Sequence, residues 1–410
     1  MAVNTMTFEQ VSTVLNSIHQ QVTGQVTIAA TDTASFVQQA TSTLTYSLDT
    51  IYNAINQVLS RTIFSIRPYS SKFRGLEVSE AAWGNHVRKL SIADTAALDD
   101  DRYKWPVAYD STNANPTGNG QSVDPYKIYK PDLLQTNFYG YAVYENAYTL
   151  HRDQLEQAFR GPEEMAGLIS LILTNRSNKL EQYRENFARY TLANYMGGLI
   201  MSEGAGIRGS GMGYIPLLTL YNSATGLSLT STTVYQPANF KAFCQWCYAY
   251  IAKIARFFTE RSEQYQTTIN NKHIIRHTDY SDQRVYLSAG DMFAFEMMAL
   301  ADTYHDSYLT MVDHEAVSYW QSIGLPGHLD LTCSWLKADG TVDSGDINTT
   351  IGLGPILGVI FDRDACGFAQ VQEWSAPAYN ARGGYTTYWD HATLRCWNDL
   401  TEKGVVLMMA

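Results

Sequence analysis

Two short motifs have residue types and spacing that could support chemistry. Gly204–Gly209 matches the pattern GxGxxG, and Cys244 with Cys247 forms a CxxC pair. A dinucleotide site needs a strand before the glycines and a helix that starts inside them, whereas here a long helical pattern precedes the glycines and a Ser/Thr-rich segment follows. The cysteines lie in an aromatic helical pattern without a second CxxC or a His pair at zinc-ligand spacing. We therefore predict a structural loop and a core-facing helix.

Two further sets could place metal ligands on one face of a helix, namely Asp302 with His305 and Asp306, and His273 with His277. Neither set belongs to a mechanistically complete motif such as HExxH, so a solvated face or local hydrogen bonding is the better interpretation. No nucleophile elbow, P-loop or kinase set is found either. The sequence predicts no catalytic residue, no metal site, no cofactor and no enzyme activity.

The composition combines many aromatic residues with few charged ones. Of 410 residues, 45% are hydrophobic and only 17% charged, and 28 are Tyr. Aromatic rings are enriched and charged residues depleted where proteins meet, so a surface largely covered by neighbours fits this composition. An aromatic-rich core would explain it equally well.

The net charge of −11 argues against tight binding of nucleic acid, and the chain has no basic stripe. Five cysteines, an odd number, and an N-terminus without a signal-peptide pattern indicate reduced thiols made in a cytoplasm. The longest apolar stretches, such as Leu353 to Phe361, are too short to span a bilayer. We expect a soluble protein without a membrane partner.

The segment from Met1 to Ser60 is distinct in composition and contains no Lys or Arg. Phe8, Val11, Leu15 and Ile18 mark one face of a first helix, and a second helical pattern runs from Phe36 to Leu59. One apolar face and little charge predict an arm that packs on something else. A helix that binds a membrane surface would need bases on its polar face.

The remaining pattern predicts an α+β protein with projecting segments. Strand-like pieces at His86–Ile92 and Tyr126–Tyr129 flank a polar stretch too long for an ordinary connector, which is either disordered or an extended excursion. A strand is predicted over Phe138 to Leu150, and a helix of about 35 residues, ~50 Å long, from Pro162 to Gly197-Gly198. Further elements are predicted as a helix from Asn239 to about Gln264, a helix at Asp291–Thr303, and strands at Val285–Leu287, Leu329–Leu336, Ile356–Phe361, Tyr388–Trp397 and Val405–Met409.

This order of elements resembles the major capsid protein of tailed bacteriophages, the Hong Kong 97 fold family. Trp83–Ile92 and Lys130–Phe138 look like the two sides of that family's extension loop. Tyr148–Phe159 is similar to the strand that leads into its long helix. Gly358–Gly367 and Pro377–Gly384 resemble its last axial strand and the return into the peripheral domain, and Asp399–Leu407 resembles its closing strand.

The resemblance implies a division into an N-terminal arm (1–62), an extension loop (63–137), a peripheral domain (138–235, with a spine helix at about 162–198), an axial domain (236–361) and peripheral return strands (362–410). It also implies inter-subunit contacts. The candidate contact residues are Trp83, Arg88, Lys89, Asp99, Asp100, Asp101, Arg102, Lys104, Arg382, Gly383 and Gly384. A solvated charge run explains Asp99 to Lys104 equally well.

By the same resemblance, copies of the chain would assemble into pentamers and hexamers of an icosahedral shell around double-stranded DNA, with weak non-specific contact to the DNA. Portal, scaffold and decoration proteins would be further partners, synthesis would take place in the cytoplasm of a bacterial host, and the protein would reside in the virion. Two alternatives stay open at this point. One is an encapsulin-like nanocompartment shell, which shares the fold, and the other is a carbohydrate-active enzyme or binding protein.

Overall fold

The structure is a computed structural model that describes residues 8–23, 32–44, 73–77, 87–94, 126, 128–151, 162–270, 272, 274–290, 314–351 and 353–410. Five α-helices are described in these ranges: α1 Phe8–Thr23, α2 Thr33–Leu44, α3 Pro162–Gly204, α4 Leu217–Thr225 and α5 Pro237–Thr259. The strands are β1 Val87–Ile92, β2 Leu133–Phe138, β3 Gly140–His151, β4 Tyr214–Pro216, β5 Gln283–Ser288, β6 His314–Val317, β7 Asp330–Leu336, β8 Val342–Asn348, β9 Ile356–Asp362, β10 Cys366–Asn380, β11 Tyr385–Asn398 and β12 Gly404–Met408.

A five-stranded sheet of order β4-β12-β9-β5-β6 forms the centre of the larger core. Its central strands β9 and β12 are buried along their whole length, as expected of a sheet covered by helices on both sides. Val405 and Leu407 of β12 belong to the cluster beneath α4 and α5, whereas Val406 and Met408 belong to the cluster beneath α3. Helices α4 and α5 therefore lie on one face of the sheet, and α3 lies on the other.

The long helix α3 also carries the β7–β8 hairpin, which pairs antiparallel from Asp330 to Asn348. Their contact depends on Gly197 and Gly198. A β-carbon at Gly197 would lie 2.9 Å from Cβ of Cys333, and one at Gly198 would lie 3.0 Å from the carbonyl oxygen of Ser334. The glycines let a strand approach the helix backbone, and the helix continues past them.

A separate three-stranded antiparallel sheet of order β10-β11-β3 covers the first half of α3. Tyr144 packs on Tyr183 of the helix with ring centroids 4.4 Å apart. Arg176 of the helix pairs with the buried Asp390 at 3.1 Å. Because α3 contacts this sheet at one end and the β7–β8 hairpin at the other, it joins the two halves of the molecule.

The N-terminal helices α1 and α2 pack on each other and on α3. Val11, Leu15 and Ile18 of α1 and Phe36 of α2 are buried. Nδ1 of His19 and the Thr43 hydroxyl are hydrogen-bonded at 2.8 Å within this contact. The predicted apolar face of the arm is confirmed, and its partner among the described residues is the chain itself.

Several predicted boundaries are wrong, each for a local reason. The long helix ends at Gly204, because Gly197 and Gly198 serve close packing and do not break the helix. The helix predicted to reach about Gln264 ends at Thr259, where Glu260 adopts an extended backbone. Residues Tyr126, Ile128 and Tyr129 are not in a strand, and the partner of β1 begins at Leu133. The helix predicted at Asp291–Thr303 lies outside the described residues.

The domain boundaries inferred from the resemblance stay a prediction. The five-stranded sheet takes β4 from residues 214–216 and β12 from residues 404–408, beside strands from residues 283–362. Its members thus come from both sides of the predicted boundaries at 236 and 361. In the part of the chain that the structure describes, no helix is long and apolar enough to cross a membrane.

Candidate inter-subunit interface

The two predicted sides of the extension loop form a hairpin stem. Strand β1 pairs antiparallel with β2, from Val87 opposite Phe138 to Ile92 opposite Leu133. Beyond the last pair, the Ala93 amide donates a hydrogen bond to the Asp132 carbonyl at 2.8 Å. The chain between Ala93 and Asp132 leaves and returns through this stem. The stem therefore brings the two ends of that segment together, and residues 95–125 of the segment lie outside the described residues.

Side chains of β1 alternate between two environments. Lys89 and Ser91 point toward the body of the protein, while Leu90 and Ile92 point away from it and are 58% and 63% exposed. Leu133, directly opposite Ile92, is 60% exposed. These three side chains form one exposed apolar face of the stem, which is a candidate interaction surface.

The inward face of the stem is held by an ionic cluster. The ammonium of Lys89 pairs with Asp399 at 2.9 Å and also with Glu402. The guanidinium of Arg276 pairs with the same Glu402 and donates to the Ser91 hydroxyl at 3.2 Å. We call these four residues, Lys89, Arg276, Asp399 and Glu402, the stem cluster.

The two carboxylates of the stem cluster differ in their electrostatics. Burial works against the charged form of Asp399, but Lys89 and hydrogen bonds from Thr401 outweigh burial and hold the pKa of Asp399 below its ordinary value. Burial dominates at Glu402 and raises its pKa despite Lys89 and Arg276. At Lys89, burial is outweighed by the two carboxylates, which raise its pKa.

Two more ion pairs lie where the stem opens. Asp94 pairs with Arg261 and accepts a hydrogen bond from the Ile275 amide, and Asp132 pairs with Lys272. Each strand of the stem is thus tied to residues 261–276. These pairs are more exposed than the stem cluster, so they contribute less energy and mainly orient the stem.

The GxGxxG segment was predicted to be a structural loop, but the role of Arg208 within it was not predicted. Arg208 is buried, and burial lowers its pKa to about 10. Its guanidinium donates hydrogen bonds of 2.6 to 3.0 Å to backbone carbonyls, those of Met212, Tyr265, Leu400 and Gly404. Glu203 accepts from three amides of the same loop, those of Gly211, Gly213 and Tyr214. Glu203 thus holds the loop, and Arg208 holds residues 400–404, which include Glu402.

Of the predicted contact residues, the structure places Lys89 in the stem cluster and Arg88 on the exposed face of the stem. The other two positions on that exposed face of β1, the apolar Leu90 and Ile92, were not predicted, although the alternation of the strand could have indicated them. Six predicted contact residues lie outside the described residues: Trp83, Asp99, Asp100, Asp101, Arg102 and Lys104.

Arg382, Gly383 and Gly384 lie together at the exposed tip of the β10–β11 hairpin, far along the sheet from the stem cluster's Asp399. The side chain of Asn380 accepts hydrogen bonds from the amides of Arg382 and Gly383 at 3.1 and 3.0 Å. Gly384 has a φ of +61°, in the left-handed region that favours glycine. The tip is therefore a defined turn.

The other motifs are structural or lie partly outside the described ranges. Cys244 and Cys247 are fully buried on the core face of α5, which confirms the predicted helix face. Asp302, His305, Asp306 and His273 lie outside the described residues. Among the residues that the structure covers, no three His, Cys, Asp or Glu side chains are grouped so as to hold a metal ion.

The chain is similar to known phage proteins in both sequence and fold. A family model of Phi29-like phage major capsid proteins matches residues 11–408. The fold is similar to the capsid structure of Staphylococcus phage Andhra, with 11% identity, a TM-score of 0.53, and coverage of 85% of this chain and 87% of that one. No curated protein sequence matches the chain.

Two other solved structures match less closely over similar lengths. A chain in the structure of the head fiber and inner core protein gp22 of native bacteriophage P68 has 10% identity and a TM-score of 0.49, with 85% and 87% coverage. A chain in the asymmetric unit of the bacteriophage PhiM1 mature capsid has 8% identity and a TM-score of 0.41, with 85% and 89% coverage.

Proposed function

The chain belongs to the Phi29-like phage major capsid protein family and is a structural subunit of a phage head; from this premise we propose how its copies hold together. Membership of the family carries self-assembly into a capsid lattice and a place in the virion. We propose that the lattice consists of pentamers and hexamers in an icosahedral shell that encloses double-stranded DNA.

The observation that carries the proposal is the two-faced stem. Its inward face is fixed to the subunit by the stem cluster, and its outward face presents Leu90, Ile92 and Leu133 to the surroundings. A neighbouring copy covers this apolar face, while residues 95–125, the middle of the predicted extension loop, lie outside the described residues. The stem cluster holds the stem, and with it this apolar face, in place on the subunit.

Other partners follow from the same role. The acidic net charge of −11 suits weak, non-specific contact with packaged DNA. Portal, scaffold and decoration proteins are proposed as additional partners, and synthesis in the cytoplasm of a bacterial host precedes assembly. A structural subunit of this kind needs no catalytic residues.

The experiment compares stem variants in an assembly assay. Leu90→Ser with Ile92→Ser removes the outward apolar face, and we expect fewer closed shells by negative-stain microscopy and sedimentation while the melting temperature of the subunit is unchanged. Ile323→Ser with Leu325→Ser is the matched control, because it removes two exposed apolar side chains away from the stem. Normal shells from the double variant would contradict the proposed covering of the stem.

A further inference from the structure

Strand β3 leaves one long side of the three-stranded sheet open. It pairs with β11 on one side, and no other strand in the described part of the chain pairs with its other side. From Gly140 to Leu150 this open edge runs for ~36 Å. Backbone N–H and C=O groups along an edge strand are directed away from the sheet, so β3 offers a row of donors and acceptors to a further strand.

The two edges of this sheet differ in how they are protected. On the opposite edge, β10 contains Pro377 and a shift in register between Gln370 and Gln372. Proline and irregular pairing at an edge prevent the addition of another chain. Strand β3 has no Pro, Lys or Arg and no shift in register, and its only acid is Glu145. The bare edge of β3 therefore indicates a site of strand pairing.

An apolar cleft lies beside the open edge. It has a volume of about 520 Å³, exposes mainly apolar surface, and includes Tyr148, Leu150, Leu171 and Ile172 among its walls. All its lining residues belong to β3 and α3, so it opens on the side of the sheet where β3 has no neighbouring strand. Leu171 is 69% exposed. A strand added to β3 would cover this cleft and so gain apolar contacts as well as backbone hydrogen bonds.

The best matched partner for this edge is β3 of a second copy. Copies of the chain surround one another in a capsid lattice, as membership of the family implies. Among the described strands that lie at the edge of a sheet, only β10 is longer than β3, and Pro377 protects it. Two bare edges of equal length can pair antiparallel about a two-fold axis, where one surface serves both copies.

Full overlap of the two strands sets the register. With Asn146 at the two-fold axis, Val143 of one copy faces Thr149 of the other, and both lie on the exposed face of the strand. Pairs of β-branched side chains suit directly opposite positions in a sheet. Glu145 faces Ala147 of the other copy, so no acid directly faces another acid. The strand is thus complementary to itself in this register.

The helices beneath the joined sheet have room. Arg176 of α3 pairs with Asp390 of β11, so this part of the helix lies beneath that strand. In a sheet of order β10-β11-β3-β3-β11-β10, the two β11 strands are three strand spacings, or ~14 Å, apart. Packed helices need about 8–10 Å between their axes. The two copies of α3 therefore fit side by side, with space between them for the side chains that line the cleft.

We propose that β3 pairs antiparallel with β3 of a second copy about a two-fold axis of the shell and so joins two three-stranded sheets into one sheet of six strands. Because a two-fold contact joins only two copies, it links subunits of neighbouring capsomers and does not close a ring of five or six. The inference deepens the proposed function, on which it rests.

Charge placed on β3 tests the contact in the full-length chain. Val143→Lys with Thr149→Lys places like charges opposite each other twice per contact, and we expect the yield of closed shells to fall ~10-fold. Val143→Lys with Thr149→Glu places opposite charges at the same positions and should restore the yield. Gln372→Lys with Ala378→Lys is the matched control, because it adds the same charge at exposed positions of β10, on the other edge of the sheet.

Cysteine cross-linking measures the register. Directly opposite residues of antiparallel strands have Cα atoms about 4.5–5.5 Å apart, a separation that a disulfide bridges. Val143→Cys with Thr149→Cys should therefore give a covalent dimer on a non-reducing gel after assembled shells are treated with an oxidant. Neither single variant should give this dimer, because each new thiol then faces a side chain without sulfur.

The outcomes separate the inference from its premise. A wild-type chain that forms no shells would overturn both the proposed function and the inference. Wild-type shells together with normal shells from Val143→Lys with Thr149→Lys would overturn the inference alone. Loss of shells that Val143→Lys with Thr149→Glu does not restore, or closed shells of the double cysteine variant without the dimer, would also overturn it. Equal melting temperatures of the unassembled subunits show that the substitutions act between copies.

Discussion

The strongest energetic test of the stem is the removal of one charge from its cluster. Lys89→Met keeps the aliphatic part of the side chain but leaves Asp399, whose side chain is 1% exposed, without the ammonium that faces it at 2.9 Å. Removing one partner of a buried ion pair costs about 3 to 5 kcal/mol. Because the Lys89 side chain is 22% exposed, we take the lower end, about 3 kcal/mol.

That cost should appear locally, because Arg276 still holds Glu402 and the core is untouched. A difference of about 1.4 kcal/mol corresponds to a factor of ten in an equilibrium constant. The amides of β1 and β2 should therefore exchange with deuterium about 100-fold faster in the unassembled Lys89→Met subunit. Amides of β9 and β12, at the centre of the five-stranded sheet, should keep their protection.

The adjacent Arg88→Met is the matched control, because Arg88 lies on the exposed face of the same strand. An exposed substitution of this kind changes stability by no more than about 0.5 kcal/mol. Equal exchange rates in β1 for both variants would refute the reasoning, because the stem would then be held by its backbone pairing and not by the cluster.

Three further predictions concern glycines and a buried amine. Gly197→Ala should lower the free energy of unfolding by about 1–3 kcal/mol, because the added methyl group overpacks the contact with the hairpin. Gly167→Ala, in the same helix, should raise the free energy of unfolding, because a β-carbon there would meet no atom within 4 Å. Chemical denaturation of the two variants tests both expectations. Lys403 is buried, and burial lowers its pKa to about 8. Between pH 8 and the ordinary pKa of Lys, the unfolded chain binds more protons than the folded chain, so the free energy of unfolding rises with pH in this range. Lys403→Met should abolish this rise, which a series of thermal melts at different pH values would measure. Gly383→Ala with Gly384→Ala should impair shell closure, seen by microscopy, more than subunit folding, and unchanged assembly would count against a contact at that tip.

The sequence predicted most accurately those features that depend on the spacing of residues within one helix or strand. The apolar faces of α1 and α5 and the alternation in β11 follow from side chains that meet within one element. The same reasoning placed the end of α3 too early. Gly197 and Gly198 are needed for contact with the β7–β8 hairpin, which comes much later in the chain. Without knowledge of the strand that packs against it, a pair of glycines in a sequence predicts the end of a helix.

Only part of the candidate interface could be predicted from the sequence. Lys89 was selected as a contact residue from the resemblance, yet its partners Asp399 and Glu402 lie near the opposite end of the chain. Nothing in the local pattern pairs them, and nothing marks Arg208 as the group that fixes their loop. Polar contacts between residues far apart in the chain depend on the topology of the fold. Residue propensities and local spacing give no information about that topology.

Helix α3, as a rod of 43 residues, is ~65 Å long. Since one end contacts the three-stranded sheet and the other contacts the β7–β8 hairpin, it acts mechanically as a lever arm. A tilt of about 5° at one end displaces the other by ~6 Å, a distance comparable to one helical turn. In a shell built from such subunits, we expect small angular differences between copies to produce displacements of this size.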